Sequence, residues 1–179
     1  MNKTVLLLSG SPRLGANSEL LGEQFLQGAK EAGNHVEKIA LRNQEINYCL
    51  GCDACKQNIG VCFQIDDMEE ILEKMVAADV LVLATPVYFY SMAAQMKTLI
   101  DRVYARYLEL ENKAMYFLIT GAADHKKYFE NTLAGLRSFA ACLPQAREEG
   151  VIYGLGVSEA GEVKTTYAMQ EAYEMGKAI

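Results

Sequence analysis

Leu6-Leu7-Leu8-Ser9-Gly10-Ser11-Pro12-Arg13-Leu14-Gly15-Ala16-Asn17-Ser18-Glu19-Leu20-Leu21 decides how the rest of the chain is read. A short apolar run ends abruptly at Ser9-Gly10-Ser11-Pro12. Small polar residues and Arg13 follow, and a helical pattern opens at Asn17 or Ser18. An apolar run without alternation suits a strand buried on both faces of a parallel sheet. Asn17 and Ser18 are N-cap types, and Glu19 complements the positive end of a helix. Strand, hydroxyl-rich loop and helix N-terminus together form an anion site, because unpaired backbone N–H groups converge there. Ser9, Ser11, Asn17 and Ser18 supply further donors, and Arg13 a fixed positive charge suited to phosphate. For Ser-Gly-Ser-Pro by itself, an ordinary strand-to-helix turn is the plain alternative.

Two common phosphate loops are excluded. Gly-x-x-x-x-Gly-Lys-Ser/Thr is absent, because Ala16 and Asn17 follow Gly15, so no lysine reaches a triphosphate. Gly-x-Gly-x-x-Gly is absent as well, which argues against a dinucleotide pyrophosphate site. Hydroxyls without a lysine read as a cradle for one phosphate.

The chain has 179 residues, enough for a single domain over 1–179 with a sizeable core. Hydrophobic residues make up 51% and charged residues 22%, a globular composition. The formal charge of −6 argues against nucleic acid or an anionic membrane surface as partner. Any phosphate must therefore be held locally. The apolar run at Val5–Leu8 is too short for a signal peptide, and no segment has the length to span a bilayer, so a cytoplasmic protein is expected.

Strand and helix alternate throughout. Strands are predicted at about 4–9, 35–41, 79–85, 113–120 and 149–153. Helices are predicted at 17–32, from Asp66-Asp67-Met68-Glu69 (a capping box) to 77, from Ser91 as cap over 92–107, at 126–142 and at 164–178. Alternation with buried-type strands implies an α/β, three-layer, flavodoxin-like fold: a five-stranded parallel sheet of order 2-1-3-4-5 with helices on both faces. In such sheets ligands sit beyond the C-terminal strand ends, between strands one and three. That rule brings three turns, 9–18, 86–91 and 120–124, to one site.

Thr85-Pro86-Val87-Tyr88-Phe89-Tyr90-Ser91 places three consecutive aromatics after a buried strand, where a simple turn would be polar. A flat heteroaromatic ligand explains them: loop backbone groups read its polar edge while Tyr88 or Phe89 lies against the ring. Covering the core or a subunit interface is the plainer role. Ring plus monophosphate points to FMN.

These residues also resemble a known family, the NAD(P)H-dependent FMN reductases with the iron–sulfur flavoproteins and flavodoxin-like quinone reductases. The matching motifs are Gly10-Ser11-Pro12-Arg13 with Asn17-Ser18, Thr85-Pro86-Val87-Tyr88, Ala94-Gln95-Met96-Lys97 and Ile100-Asp101-Arg102, over roughly residues 3–142. The resemblance implies that Ser11, Arg13, Asn17 and Ser18 hold the FMN phosphate. It implies that Pro86, Val87, Tyr88 and Phe89 line the isoalloxazine, with Thr120 and Gly121 approaching from the fourth strand. It also implies a homodimer or homotetramer with the flavin near the interface.

Cys49-x2-Cys52-x2-Cys55-x6-Cys62 falls within an insertion at about 43–64. Clustered cysteines in a cytoplasmic chain mean metal or redox chemistry more often than a disulfide framework. The compact spacing lets three thiolates converge on a 4Fe–4S cluster, with the fourth arriving after a short loop. The pattern resembles the cluster loop of the iron–sulfur flavoproteins, in which the cluster exchanges electrons with FMN. A structural zinc site and free or disulfide-linked thiols remain open. Cys142 is expected in the core, Asp101 and Arg102 in ion pairs on the helix surface or an interface, and His35 and His125 at the surface. Tyr167, Met169, Tyr173 and Met175 are expected in core or subunit packing.

The sequence thus reads as an FMN-dependent oxidoreductase. Electrons pass from NAD(P)H as co-substrate, or from a ferredoxin-like protein, to a quinone, flavin or other small-molecule acceptor. No acid–base triad is visible and none is required, since the cofactor carries the chemistry. The alternatives are a non-enzymatic flavodoxin-type or iron–sulfur electron carrier, and a thiol or metal redox sensor on a flavin fold.

Overall fold

A computed structural model describes residues 2–179. In chain order the elements are β1 (Thr4–Ser9), α1 (Asn17–Glu31), β2 (His35–Ala40), α2 (Ala54–Gln57), α3 (Met68–Ala77), β3 (Val80–Tyr88), β4 (Ser91–Met92), α4 (Ala94–Arg102), β5 (Ala114–Thr120), α5 (Glu130–Ala141), β6 (Arg147–Gly154) and α6 (Tyr167–Lys177). Five strands pair in parallel in the order β2-β1-β3-β5-β6. This is the flavodoxin-like order expected from the sequence. The sheet has six strands rather than five, because the two-residue β4 folds back antiparallel on β3.

Side chains alternate across the central strands, and the alternation splits the core into two layers. Leu6, Leu8, Leu81 and Leu83 face a cluster with residues of α3, α4 and α5, among them Ile71, Met96 and Leu136. Val5, Leu7, Val80 and Val82 face the other cluster, built with α1 and α6 around Phe25, Ala29 and Ala172. On that side the two helices touch through glycine. A Cβ on Gly28 would lie 2.1 Å from the Tyr173 carbonyl oxygen, and one on Gly176 would lie 2.0 Å from that of Phe25. Only hydrogen fits at either position.

Several boundaries depart from the sequence reading. β3 runs through Pro86 to Tyr88 rather than stopping at Thr85. β1 ends opposite Ala84, so beyond that point β3 has a free flank, where a residue without an N–H loses no ladder bond. Ser91 does not cap a helix: it pairs with Tyr88, and α4 starts only at Ala94 and ends at Arg102. Short 3-10 turns at Val103–Ala105 and Tyr107–Glu109 replace its expected last turns. The expected capping box makes no N-cap bond. Asp67 instead accepts the Glu45 N–H at 2.7 Å, and Asp66 accepts those of Asn47 at 3.0 Å and Met68 at 3.2 Å. The last helix begins at Tyr167, after a 3-10 turn at Glu162–Thr165.

Candidate functional site

At the C-terminal end of β1 the chain crosses to β3: the Gly10 N–H donates to the Ala84 carbonyl at 2.8 Å. Ser9, Ser11 and Ser18 are fully buried around this crossing. The Ser11 hydroxyl accepts the Arg13 N–H at 3.2 Å, whereas the hydroxyls of Ser9 and Ser18 are buried with no partner. A buried hydroxyl without a partner is costly, and a bound acceptor satisfies it. Ala16 occupies the N-cap of α1, and no side chain caps that end, so the first-turn N–H groups stay open to an anion.

Asn17 and Arg13 both line the cleft at this end of the sheet, and each also ties down another loop. Asn17 does not cap the helix. Its amide donates to the Glu159 carbonyl at 2.8 Å and its carbonyl oxygen accepts the N–H groups of Gly161 and Val163, each at 3.1 Å. The Arg13 guanidinium donates to the Ser158 carbonyl at 3.1 Å. Both side chains therefore fasten the loop after β6, which sequence reasoning left out of the site. β6 ends at the same sheet edge as β1 and β3, and that topological fact was the available signal.

The ring side is built by β3 and its hairpin. The Thr85 hydroxyl, fully buried, accepts the Ala93 N–H and donates to the Pro86 carbonyl, both at 3.0 Å. Val87 pairs with Met92 and Tyr88 with Ser91, leaving Phe89 and Tyr90 as a two-residue turn. Across from it, the Gly121 N–H donates to the Gly154 carbonyl at 3.0 Å, and its own carbonyl accepts the Val157 N–H at 2.9 Å. One cleft of about 220 Å³ results, lined by Ser11, Arg13, Asn17, residues 86–88, Thr120, Gly121 and the 157–160 loop. The three turns expected to meet do meet. Phe89 is turned out of this cleft and lines a neighbouring recess of about 330 Å³.

Among the described residues, Arg13 is the one charged side chain lining the cleft. Glu19, buried in the first turn of α1, places a carboxylate close by, and that charge is neutralised. Arg42 grips it at 2.9 and 3.0 Å and Lys38 at 3.0 Å. Burial alone would raise the Glu19 carboxyl, but the Arg42 and Lys38 bonds outweigh it and hold the group below the ordinary carboxylate range.

The cysteine loop is anchored at several points. Arg102, expected in an ion pair on the helix surface or an interface, does form one but is buried: it donates to Asp66 at 2.6 and 3.0 Å and to the Asn47 carbonyl at 2.8 Å, joining both ends of the loop to α4. Lys56 sits 4.2 and 4.6 Å from the ring centroids of Tyr104 and Tyr107, and the Tyr104 hydroxyl donates to Asp53 at 3.0 Å. Cys49 and Cys52 are exposed, Cys55 and Cys62 half-buried, and all are free thiols. Among the described residues no three metal-ligating side chains gather around one point. Cys142, expected in the core, is exposed where α5 ends and shares a groove of about 840 Å³ with Cys49. Tyr167, at the start of α6, is exposed.

An open parallel sheet of this strand order, with helices on both faces and a cleft lined by Ser11, Tyr88 and Thr120 at its C-terminal strand ends, defines a flavodoxin-like α/β protein. The model of the NADPH-dependent FMN reductase family matches residues 3–141, and the chain belongs to that family. It is 46% identical over 98 residues to an iron-sulfur flavoprotein of Methanocaldococcus jannaschii, a match covering 55% of this chain and 50% of that protein. An iron-sulfur flavoprotein of Methanosarcina thermophila is 43% identical over 95 residues, 53% and 49% of the two chains. The chain spans about half the length of these curated relatives. In three dimensions it resembles an azoreductase of Bacillus anthracis (TM-score 0.79, 19% identity, all of both chains). It also resembles an NAD(P)H:quinone oxidoreductase of Methanothermobacter marburgensis (TM-score 0.76, 17% identity, 99% of this chain and 96% of that one). No helix among the described residues is long and apolar enough to cross a membrane.

Proposed function

We propose that this chain is an FMN-dependent oxidoreductase that passes electrons from NAD(P)H to a small-molecule acceptor such as a quinone or free flavin. The observation that carries this reading is the pair of buried, unpartnered hydroxyls of Ser9 and Ser18 beside the open N-terminus of α1. They suit a phosphate at the notch, with the Ser11 hydroxyl and first-turn N–H groups as further donors. Pro86, Val87 and Tyr88 on one side and Thr120 and Gly121 on the other suit the ring. FMN, if held there, would supply hydride- and electron-transfer chemistry. Pro86, Val87, Tyr88, Thr120 and Gly121 would hold and orient the ring. Clustered free thiols fit a reducing compartment, which supports a cytoplasmic location. Exposed apolar residues on the cysteine loop, including Leu50, Ile59 and Phe63, support association with further copies of the chain.

The cysteine spacing and the names of the curated relatives favour a second reading, an iron–sulfur flavoprotein fed by a ferredoxin-like donor. Four thiols are the right donor chemistry for a 4Fe–4S cluster. As the loop is folded they are not gathered, so the cluster does not fit this arrangement.

Steady-state oxidation of NADH and NADPH with menadione, on anaerobically purified protein assayed for flavin, iron and acid-labile sulfide, tests both readings. Flavin with turnover on either nucleotide is expected for the first. Bound flavin without turnover contradicts it, and about four irons per chain establishes the second.

A further inference from the structure

The first turn of α1 is a contradictory place for a buried acid. Its open N–H groups favour negative charge, and Glu19 already supplies one there, with 3% of its side chain exposed. A phosphate beside Ser18 would meet that carboxylate as a like charge, in surroundings that screen it weakly. The neighbouring strand offsets it. β2 runs beside β1 with Ser9 opposite Ala40, so Lys38 and Arg42 stand two residues to either side of Ala40, one strand spacing of about 4.8 Å from β1. Arg42 takes both Glu19 oxygens in a fork, at 2.9 and 3.0 Å, and Lys38 reaches one of them at 3.0 Å. The two cations are not equivalent. Lys38 is shared with Glu23 at 2.6 Å and is one-third exposed, whereas Arg42 is 14% exposed and, among the described residues, pairs with Glu19 alone. Lys74, the third cation along this edge, is taken by Glu37 and Glu70 at 2.9 and 2.7 Å. Glu19, Glu23, Lys38 and Arg42 are together neutral. Without Arg42 the set carries an excess negative charge behind the notch.

We propose that Arg42 is a positioning residue for the flavin phosphate: acting through Glu19, which it grips and neutralises from the sheet edge, it sets the affinity of the notch for a phosphorylated ligand that it does not touch. The proposal rests on the FMN reading of the cleft. A plain tie between β2 and α1 makes the opposite prediction for loss of the acid: removing an anchor weakens the notch, whereas removing a like charge strengthens it.

The test compares wild type with R42Q, E19Q and the double variant E19Q/R42Q. For each flavin-free protein the melting temperature is measured by scanning calorimetry, and the Kd values of FMN and riboflavin by titration followed by flavin fluorescence. R42Q is expected to weaken FMN about tenfold, through repulsion by the unmasked carboxylate. E19Q leaves Arg42 and Lys38 with excess positive charge and is expected to tighten FMN about threefold. The double variant is expected to return FMN to within about twofold of wild type. Riboflavin, which has no phosphate, is expected to move by less than about twofold in every variant. FMN bound no more tightly by E19Q than by wild type overturns the proposal, since Glu19 and Arg42 then act as a tie. It is also overturned by an unchanged FMN Kd in R42Q, by an R42Q loss that riboflavin shares equally, or by a double variant as weak as R42Q. If R42Q does not fold, E19Q decides alone. If wild type takes no FMN, the FMN reading fails separately. Inorganic phosphate titrated into wild type and E19Q then decides: tighter binding in E19Q supports the proposal, and equal, weaker or absent binding overturns it.

Discussion

The Arg102 guanidinium and the Asp66 carboxylate meet at 2.6 Å with 3% of each side chain exposed. The pair ties the far end of α4 to the closing end of the cysteine loop, and the Arg102 bond to the Asn47 carbonyl ties in the opening end. Removing one partner of a buried pair leaves the other charge uncompensated, at a cost of about 3–5 kcal/mol. R102M is expected to lower the melting temperature by about 10 °C in scanning calorimetry. R102K, which keeps the charge and loses the fork, is expected to fall between R102M and wild type. A loss of 2 °C or less in R102M contradicts this assignment.

Asp66 and Glu19 also set the response to acid. For each, burial by itself would raise the carboxyl, and the bonds from Arg102, Asn47 and Met68 on one and from Arg42 and Lys38 on the other more than offset it, so both lie below the usual range. A carboxylate depressed on folding adds stability above its unfolded value, and that stability is lost as pH falls through the folded value. Urea unfolding from pH 7 down to 3 is expected to show a loss setting in below about pH 4 to 5. D66N starts less stable and loses less over that interval. A variant curve parallel to wild type argues against a native-state role for this carboxylate.

The α1–α6 crossing makes a sharper prediction about packing. A methyl on Gly176 would sit 2.0 Å from the Phe25 carbonyl oxygen, and backbone gives way less readily than a side-chain tip. G176A is expected to cost about 3 kcal/mol, seen as a lower urea midpoint with an unchanged slope. Normal stability in G176A means that the helices do not approach this closely.

Ser18 and Asn17 separate phosphate binding from scaffolding. The Ser18 hydroxyl has no partner among the described residues, so S18A removes an unsatisfied buried group and is expected to stabilise the flavin-free protein by about 1 kcal/mol. The same variant is expected to weaken FMN by about 10-fold or more, the scale of a hydrogen bond to a charged group. N17A removes three bonds to the loop after β6 and is expected to lower stability as well as affinity. Equal stability losses in the two variants contradict this division.

Much of this arrangement was legible in the residues. The unalternating run Val5–Leu8 and the matching run Val80–Ala84 required a doubly covered parallel sheet, and the switch-point rule then placed the turns after β1, β3 and β5 together. The hairpin at Phe89–Tyr90 was not legible, because turn chemistry argues against aromatics at positive φ and Pro86 mimics a strand end. Asn17 was misread because a good N-cap residue also suits a long-range tie, and only the fold shows that the loop at 157–163 lies within its reach. Arg102 looked superficial because its partner Asp66 is 36 residues away in sequence, beyond any helical spacing.

Comparing FMN with riboflavin tests the central claim most directly. Both contain the same ring, and only FMN carries the phosphate that the Ser9–Ser18 notch is assigned to hold. Titration of flavin-free protein, followed by flavin fluorescence, is expected to give one FMN per chain and riboflavin bound at least about 100-fold more weakly. Equal affinity for the two, or no binding of FMN, contradicts the account.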